Sequence, residues 1–212
     1  MFVTENKPGI YLISPNQILN NQFFLKLNQV LSLGLVKIFQ LRIKNQSDNY
    51  LDQTIKLIKP ICKAHNVLFI LNDNIQLVRA NNLDGVHVGI EDPTIQKCRA
   101  VLGKNKIIGK SCYNSPRMAL IAQKSGADYI AFGSFFQTTT KNNAKKLNIK
   151  DILYCRKKIN IPVVGIGGIN HKNFLKIKRV NLDYIALSSG IWGSNISPVE
   201  TIKKIKNVID NC

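Results

Sequence analysis

The strongest constraint on this chain is a recurrence. Short apolar runs rich in Val, Ile, Phe and Tyr return eight times, each followed by a segment with helical spacing. The runs are Ile10–Ser14, Val36–Leu41, Val67–Leu71, Gly85–Val88, Ile107–Ser111, Tyr129–Ser134, Val163–Ile166 and Tyr184–Ser188. Their near-continuous apolarity suits parallel strands buried on both faces, because half-exposed antiparallel strands would alternate. Eight strand–helix units in 212 residues lie at the compact end of the (β/α)8 range. The expected fold is therefore α/β, a TIM barrel spanning residues 1–212 as a single domain. An open doubly wound sheet is the alternative, weakened because no GxGxxG opens the first unit.

Several helices announce their starts. Ser197-Pro198-Val199-Glu200 reads as a capping box with Pro at the first helical position, and Ser115-Pro116 repeats the cap-then-Pro signal. Ile55, Ile58 and Ile61 mark one face of the second helix, which Pro60 is expected to kink or end.

Composition narrows the class. With 45% hydrophobic residues the chain is no disordered tail, and its length allows burial of roughly 70–75% of the unfolded surface. Five scattered cysteines, with no CxxC pair, argue against a disulfide framework or a structural zinc site. The start, MFVTENKPG, has no apolar signal core, and no stretch approaches ~18 apolar residues. A cytoplasmic protein without membrane partners is expected, with homo-oligomerisation left open. Thirty basic against 12 acidic residues give a formal charge of +18, which first points to nucleic acid. The lysines, however, come singly or in pairs diluted by Asn and Ile, so no nucleic-acid partner is expected. Weak attraction of anionic substrates fits this pattern better.

In a barrel, chemistry gathers where strands end. The second run ends in Gln40-Leu41-Arg42-Ile43-Lys44, and strand alternation points Gln40, Arg42 and Lys44 one way. Three donors, two of them cationic, suit a pyrophosphate or carboxylate; a solvated strand end is the plainer alternative. Asn72-Asp73 closes the third run, and the fourth leads to Asp92. Carboxylates at neighbouring strand ends beside Arg and Lys suit Mg²⁺, which takes one or two carboxylates plus phosphate oxygens. Asp92-Pro93 also reads as a helix cap, an excuse that Asp73 lacks. The sixth run leads to Thr138-Thr139-Thr140-Lys141, which offers hydroxyl and ammonium donors. The seventh and eighth give Gly165-Ile166-Gly167-Gly168 and Ser188-Ser189-Gly190, where phosphate groups often bind in barrels.

Two phosphate zones on one mouth imply two phosphorylated small-molecule substrates. His65, His87 and His171 lie apart without metal spacing, and His87 reads as structural. Tyr113 and Trp192 read as packing residues. With no evident nucleophile and base, metal-assisted departure of pyrophosphate fits best.

The ordered set QLRIK (40–44), LND (71–73), DGVHVGIED (84–92), IIGKSCYNS (107–115), GADYIAFGSFFQTTTK (126–141), IPVVGIGGI (161–169) and ALSSGIW (186–192) resembles the thiamine phosphate synthase family. The resemblance covers nearly the whole chain. It implies a transferase of thiamine biosynthesis that joins an aminopyrimidine methyl diphosphate to a thiazole phosphate and releases pyrophosphate. It implies Mg²⁺ on Asp73 and Asp92, and pyrophosphate on Arg42, Lys44, Asn72 and Lys141. It further places the pyrimidine diphosphate against Gln40 and Ser111, and the thiazole phosphate against Thr138, Thr140, Gly168, Ser188 and Ser189. Arg42, Lys44, Ser111 and Lys141 are the expected catalytic residues. Ile90 stands where a Gln commonly precedes the acidic pair, and Gln137 where a Pro precedes the Thr-x-Thr-Lys stretch. A thiazole tautomerase of the same family is the near alternative, but it lacks the metal-binding carboxylates and the full Thr-x-Thr-Lys stretch. A basic nucleic-acid-binding protein is the alternative of a different class.

Overall fold

A computed structural model describes residues 7–18, 20–136 and 148–212. Eight parallel strands close into one barrel in sequence order, with β8 pairing back onto β1. The strands are β1 (Gly9–Ile13), β2 (Val36–Leu41), β3 (Leu68–Asn72), β4 (Gly85–Val88), β5 (Ile107–Tyr113), β6 (Tyr129–Phe132), β7 (Val163–Ile166) and β8 (Tyr184–Leu187). The expected barrel is therefore present, and each apolar run holds one strand within two residues at either end. Around it lie α1 (Gln22–Leu31), α2 (Asp48–Ala64), α3 (Ile75–Ala80), α4 (Ile95–Leu102), α5 (Pro116–Lys124), α6 (Ile149–Arg156), α7 (Ser189–Trp192) and α8 (Pro198–Asp210).

Side-chain alternation divides the apolar residues into two sets. Leu12, Phe39, Leu71, Val86, Ile130 and Ile185 face the helices and join the larger core. Tyr11, Ile13, Ile38, Ile70, Tyr129, Val164 and Tyr184 fill the inside of the barrel. Gly109 belongs to this inner layer by omission. A Cβ there would stand 2.0 Å from Cζ of Tyr129, so only glycine lets that ring lie across the strand. A break in register between Ser111 and Tyr113 extends β5 beyond its apolar run and re-aims its end, as β-bulges do beside sites.

The caps at Ser115 and Ser197 form as expected, each side-chain oxygen accepting from the backbone N–H three residues on. Three expectations change. The second helix runs through Pro60 to Ala64, because Pro removes one ladder bond while Ile55, Ile58 and Cys62 stay buried on either side of it. Asp92 does not cap α4, which begins at Ile95 with Thr94 as its cap. Between β7 and β8 the expected helix is a 3₁₀ segment, Phe174–Val180, ending at Asn181 in the left-handed region. The short α7 is an additional element after β8.

Candidate active site

The mouth is built at the C-terminal ends of the strands. β2 ends at Leu41, one residue before Arg42, so strand alternation carries only Gln40 of the three donors read on one face. Gln40 points into the barrel, buried, with Nε2 donating to the Tyr11 hydroxyl at 2.9 Å. Arg42 is held through its backbone, whose N–H donates to Ser14 Oγ at 2.9 Å, while its guanidinium donates to Asn16 Oδ1 at 3.2 Å. Lys44 reaches across to Asp73 Oδ2 at 3.8 Å. The donors therefore diverge, one inward and two over the rim.

At the end of β3, Asp73 adopts φ 64°, a left-handed conformation that costs a non-glycine residue strain and that Asp tolerates better than most. Its backbone N–H donates to the His87 carbonyl at 2.9 Å, and its carboxylate accepts from Asn72 Nδ2 at 2.5 Å. Asp92 Oδ2 accepts from the Gly89 N–H at 2.6 Å; a Cβ on Gly89 would lie 2.8 Å from that oxygen. This turn brings Asp92 back toward Asp73, close enough for each carboxyl to shift the titration of the other.

Burial, and then the adjoining Asp92 carboxyl, pushes Asp73 up to about 6. For Asp92 burial also works upward, but it is outweighed by hydrogen bonds from Asp73 and the Gly89 amide, so its value falls below the ordinary one. Two carboxyls held this close repel one another when both are ionised, and a divalent cation between them relieves that repulsion. No group of three or more His, Cys, Asp or Glu side chains converges among the described residues. The pair fits a hard cation such as Mg²⁺, which completes its shell with water and phosphate oxygens.

On the other side of the mouth stand Gly168, Ser188 and Ser189. Gly167 and Gly168 both adopt positive φ, at 102° and 64°. Residue 136, the last described before the Thr-Lys stretch, donates its N–H to the Gly167 carbonyl at 3.0 Å. Ser188 and Ser189 begin α7, in the place where barrels carry a short extra helix near phosphate. Thr138, Thr140, Lys141 and Gln137 lie outside the described residues. Ile90 is exposed.

Ser14 ties the two sides together. Its Oγ accepts from Arg42, and its carbonyl accepts from Ser188 Oγ at 3.1 Å. Ser14 closes the first apolar run and is not among the residues that the sequence marks for the site; a hydroxyl at a strand's C-terminal end is the available signal. Lys110 was missed too. It sits inside β5 and turns its ammonium to the Gly89 carbonyl at 2.5 Å, beside Asp92.

His87, read as structural, is buried but not inert. Its Nε2 lies 2.8 Å from Ser111 Oγ, and Nδ1 lies 2.9 Å from the Tyr129 hydroxyl. Burial first, then the charges of Arg42 and Lys110, lowers its imidazole to about 4, so it is neutral at ordinary pH. Trp192 packs as expected, its ring centroid 5.1 Å from that of Phe23 and its Nε1 donating to the Ile13 carbonyl at 2.6 Å. Tyr113 stands 40% exposed on the re-aimed end of β5.

The family profile described as thiamine monophosphate synthase matches residues 10–191. This chain belongs to the thiamine monophosphate synthase family. It is 40% identical over 204 residues to the thiamine-phosphate synthase of Pelagibacter ubique, covering 95% of this chain and 97% of that one. It is 38% identical over 202 residues to the thiamine-phosphate synthase of Fusobacterium nucleatum, covering 95% and 96%. Among solved structures, thiamine phosphate pyrophosphorylase from Pyrococcus furiosus superposes with a TM-score of 0.85 at 28% identity, covering 97% of each chain. The 3-hexulose-6-phosphate synthase of Salmonella typhimurium shares the fold alone, with a TM-score of 0.72 at 16% identity.

Proposed function

We propose that this protein joins an aminopyrimidine methyl diphosphate to a thiazole phosphate, releasing pyrophosphate and forming thiamine phosphate. The observation that carries this reading is the Asp73–Asp92 pair, flanked by Arg42, Lys44 and Lys110, on the same mouth as Gly168 and Ser188. In the reaction the methylene C–O bond breaks and both electrons leave with pyrophosphate. The amino group of the pyrimidine shares the positive charge left behind, and the thiazole nitrogen then supplies the electron pair of the new C–N bond.

Arg42 and Lys44 bind the leaving diphosphate, the guanidinium as a bidentate fork and the ammonium as a point charge. Asn72 adds an amide donor. Mg²⁺ on Asp73 and Asp92 would neutralise charge developing on the departing group. Lys141 joins Arg42 and Lys44 on the pyrophosphate, Gln40 and Ser111 position the pyrimidine diphosphate, and Thr138, Thr140, Gly168, Ser188 and Ser189 hold the thiazole phosphate. Binding on two sides of one opening, linked at Ser14, turns a bimolecular encounter into a positioned one.

The test is mass-spectrometric detection of thiamine phosphate from the purified protein with both substrates and Mg²⁺. Omitting either substrate or chelating the metal should abolish product. Rearrangement of a thiazole carboxylate phosphate without any pyrimidine substrate would instead indicate the tautomerase reading, which the paired carboxylates disfavour.

A further inference from the structure

Lys110 occupies a face of β5 on which the fold calls for an apolar side chain. Ile108 and Cys112, two residues to either side, are fully buried in the core between barrel and helices. A lysine between them gives up rotamer freedom and part of its hydration, so its placement needs a compensating bond. That bond is made beyond the strand. Val88, the last residue of β4, is the register partner of Lys110, and the half-buried lysine reaches one residue past it to the Gly89 carbonyl at 2.5 Å.

Gly89 opens the turn that returns Asp92 to the mouth, and both of its backbone polar groups are engaged. Its N–H donates to Asp92 Oδ2 at 2.6 Å, and its carbonyl accepts from Lys110. The fit is close, since a Cβ on Gly89 would lie 2.8 Å from the same Asp92 oxygen. Apolar packing does little to hold the turn: Ile90 is 54% exposed, and Glu91 is exposed as well. Among the described residues Lys110 forms no ion pair with Asp73 or Asp92. Its ammonium is spent on the backbone that carries Asp92, so a cation arriving at the carboxylate need not displace it.

We infer that Lys110 is a positioning residue for the cation site: it pins the Gly89 carbonyl, fixes the turn from Gly89 to Asp92 and so sets the Asp92 carboxylate toward Asp73. This deepens the proposed function and rests on it for the use of Asp73 and Asp92 as Mg²⁺ ligands. Charge and geometry make opposite demands here, which gives the inference a sign. As a mere neighbouring charge Lys110 would repel a divalent cation, and its removal would tighten binding. As a positioning residue it acts the other way, and its removal loosens binding, as loss of the groups that orient metal ligands does.

Uptake of Mn²⁺ by the purified protein without substrates, followed by the EPR signal of the free ion, reads that sign. Lys110→Met keeps an unbranched stem and loses the donor, and Mn²⁺ affinity should fall about 10- to 100-fold. Lys110→Arg keeps a charged donor on a long stem and should recover most of that loss. Gly89→Ala crowds Asp92 with Lys110 intact and should also weaken binding. Adding Lys110→Met to it should cost less than about twofold more, because both act through one turn. In a synthesis assay Lys110→Met should raise the apparent KM for Mg²⁺ by a larger factor than it lowers kcat at saturating Mg²⁺. Unchanged or tighter Mn²⁺ binding in Lys110→Met would overturn the inference. So would an arginine variant as weak as the methionine one, or wild-type protein that takes up no Mn²⁺. If Lys110→Met does not fold, Lys110→Gln, whose amide nitrogen stops one bond short of the ammonium position, carries the same expectation. Protein that shows the expected loss of Mn²⁺ yet makes no thiamine phosphate would support the role of Lys110 while removing the proposed substrates.

Discussion

The two rims of the barrel use aspartate in opposite ways. At the N-terminal rim, Asp84, Asp128 and Asp183 each immediately precede a strand. Each accepts the backbone N–H of a residue on the neighbouring strand at 2.7 Å: Phe69, Ile108 and Val163 respectively. Asp128 and Asp183 are further paired with Arg99 at 2.7 Å and Arg156 at 2.9 Å. These arginines also donate to nearby carbonyls, so these carboxylates are spent on structure. At the C-terminal rim, Asp73 and Asp92 each follow a strand and face one another. Their cations stand off, Lys44 at 3.8 Å from Asp73, and burial with mutual repulsion pushes Asp73 up to about 6. A carboxylate that is fully bonded locks the fold; one held against another carboxylate stores capacity for a cation.

The sharpest way to break this contrast is to neutralise one aspartate on each rim. Asp73→Asn keeps the side chain's size and an acceptor for Asn72 but removes the charge. Turnover should fall about 100- to 1,000-fold in a synthesis assay, while the thermal midpoint stays close to that of the wild type. Asp183→Ala should do the reverse. It strands the Arg156 guanidinium and the Val163 N–H, so chemical denaturation should reveal a loss of about 2–4 kcal/mol. Turnover per folded molecule should be unchanged. If Asp183→Ala instead abolished turnover in folded protein, the division of labour between the rims would be wrong.

pH offers a probe that needs no mutation. The folded value of His87, about 4, lies below its ordinary 6.5, so between these values the unfolded chain binds more protons than the folded one. The contribution is fully present above pH 6.5 and is lost as pH falls toward 4, amounting to at most about 3 kcal/mol. His87→Gln should flatten that part of the stability profile. The smallest effect is expected far from both rims. Lys56 pairs with Asp52 at 2.6 Å on the exposed face of α2, and Lys56→Ala should leave thermal midpoint and turnover unchanged within error.

Much of the barrel was legible because parallel strands buried on both faces write themselves as apolar runs, and eight such runs admit few closures. The caps at Ser115 and Ser197 were equally readable, since the side chain and the amide it serves lie three residues apart. Pro60 misled because local propensity says nothing of the buried Ile55, Ile58 and Cys62 that hold α2 straight through it. In the site, Asp73 was readable as a strand-end carboxylate without a structural excuse. The role of Asp92 was ambiguous, because Asp92-Pro93 mimics a cap and only the fold shows Thr94 taking that duty. The hydrogen bonds that link Gln40 to Ser111 were invisible. Tyr11 and Tyr129 stand 118 residues apart, and nothing along the sequence tells a tyrosine that packs from one that also hydrogen-bonds across the barrel. Ser14 escaped for the same reason, because its partners Arg42 and Ser188 come from strands brought beside it only when the barrel closes.

The central claim is that one mouth brings two phosphorylated substrates together and expels pyrophosphate. Its most direct test is the time course of pyrophosphate release from the pyrimidine diphosphate with Mg²⁺, followed with and without the thiazole phosphate. The account predicts one pyrophosphate for each thiamine phosphate formed, and release that depends on the thiazole phosphate for sustained turnover. Sustained release at the same rate without the thiazole phosphate, or no release with both substrates present, would contradict it.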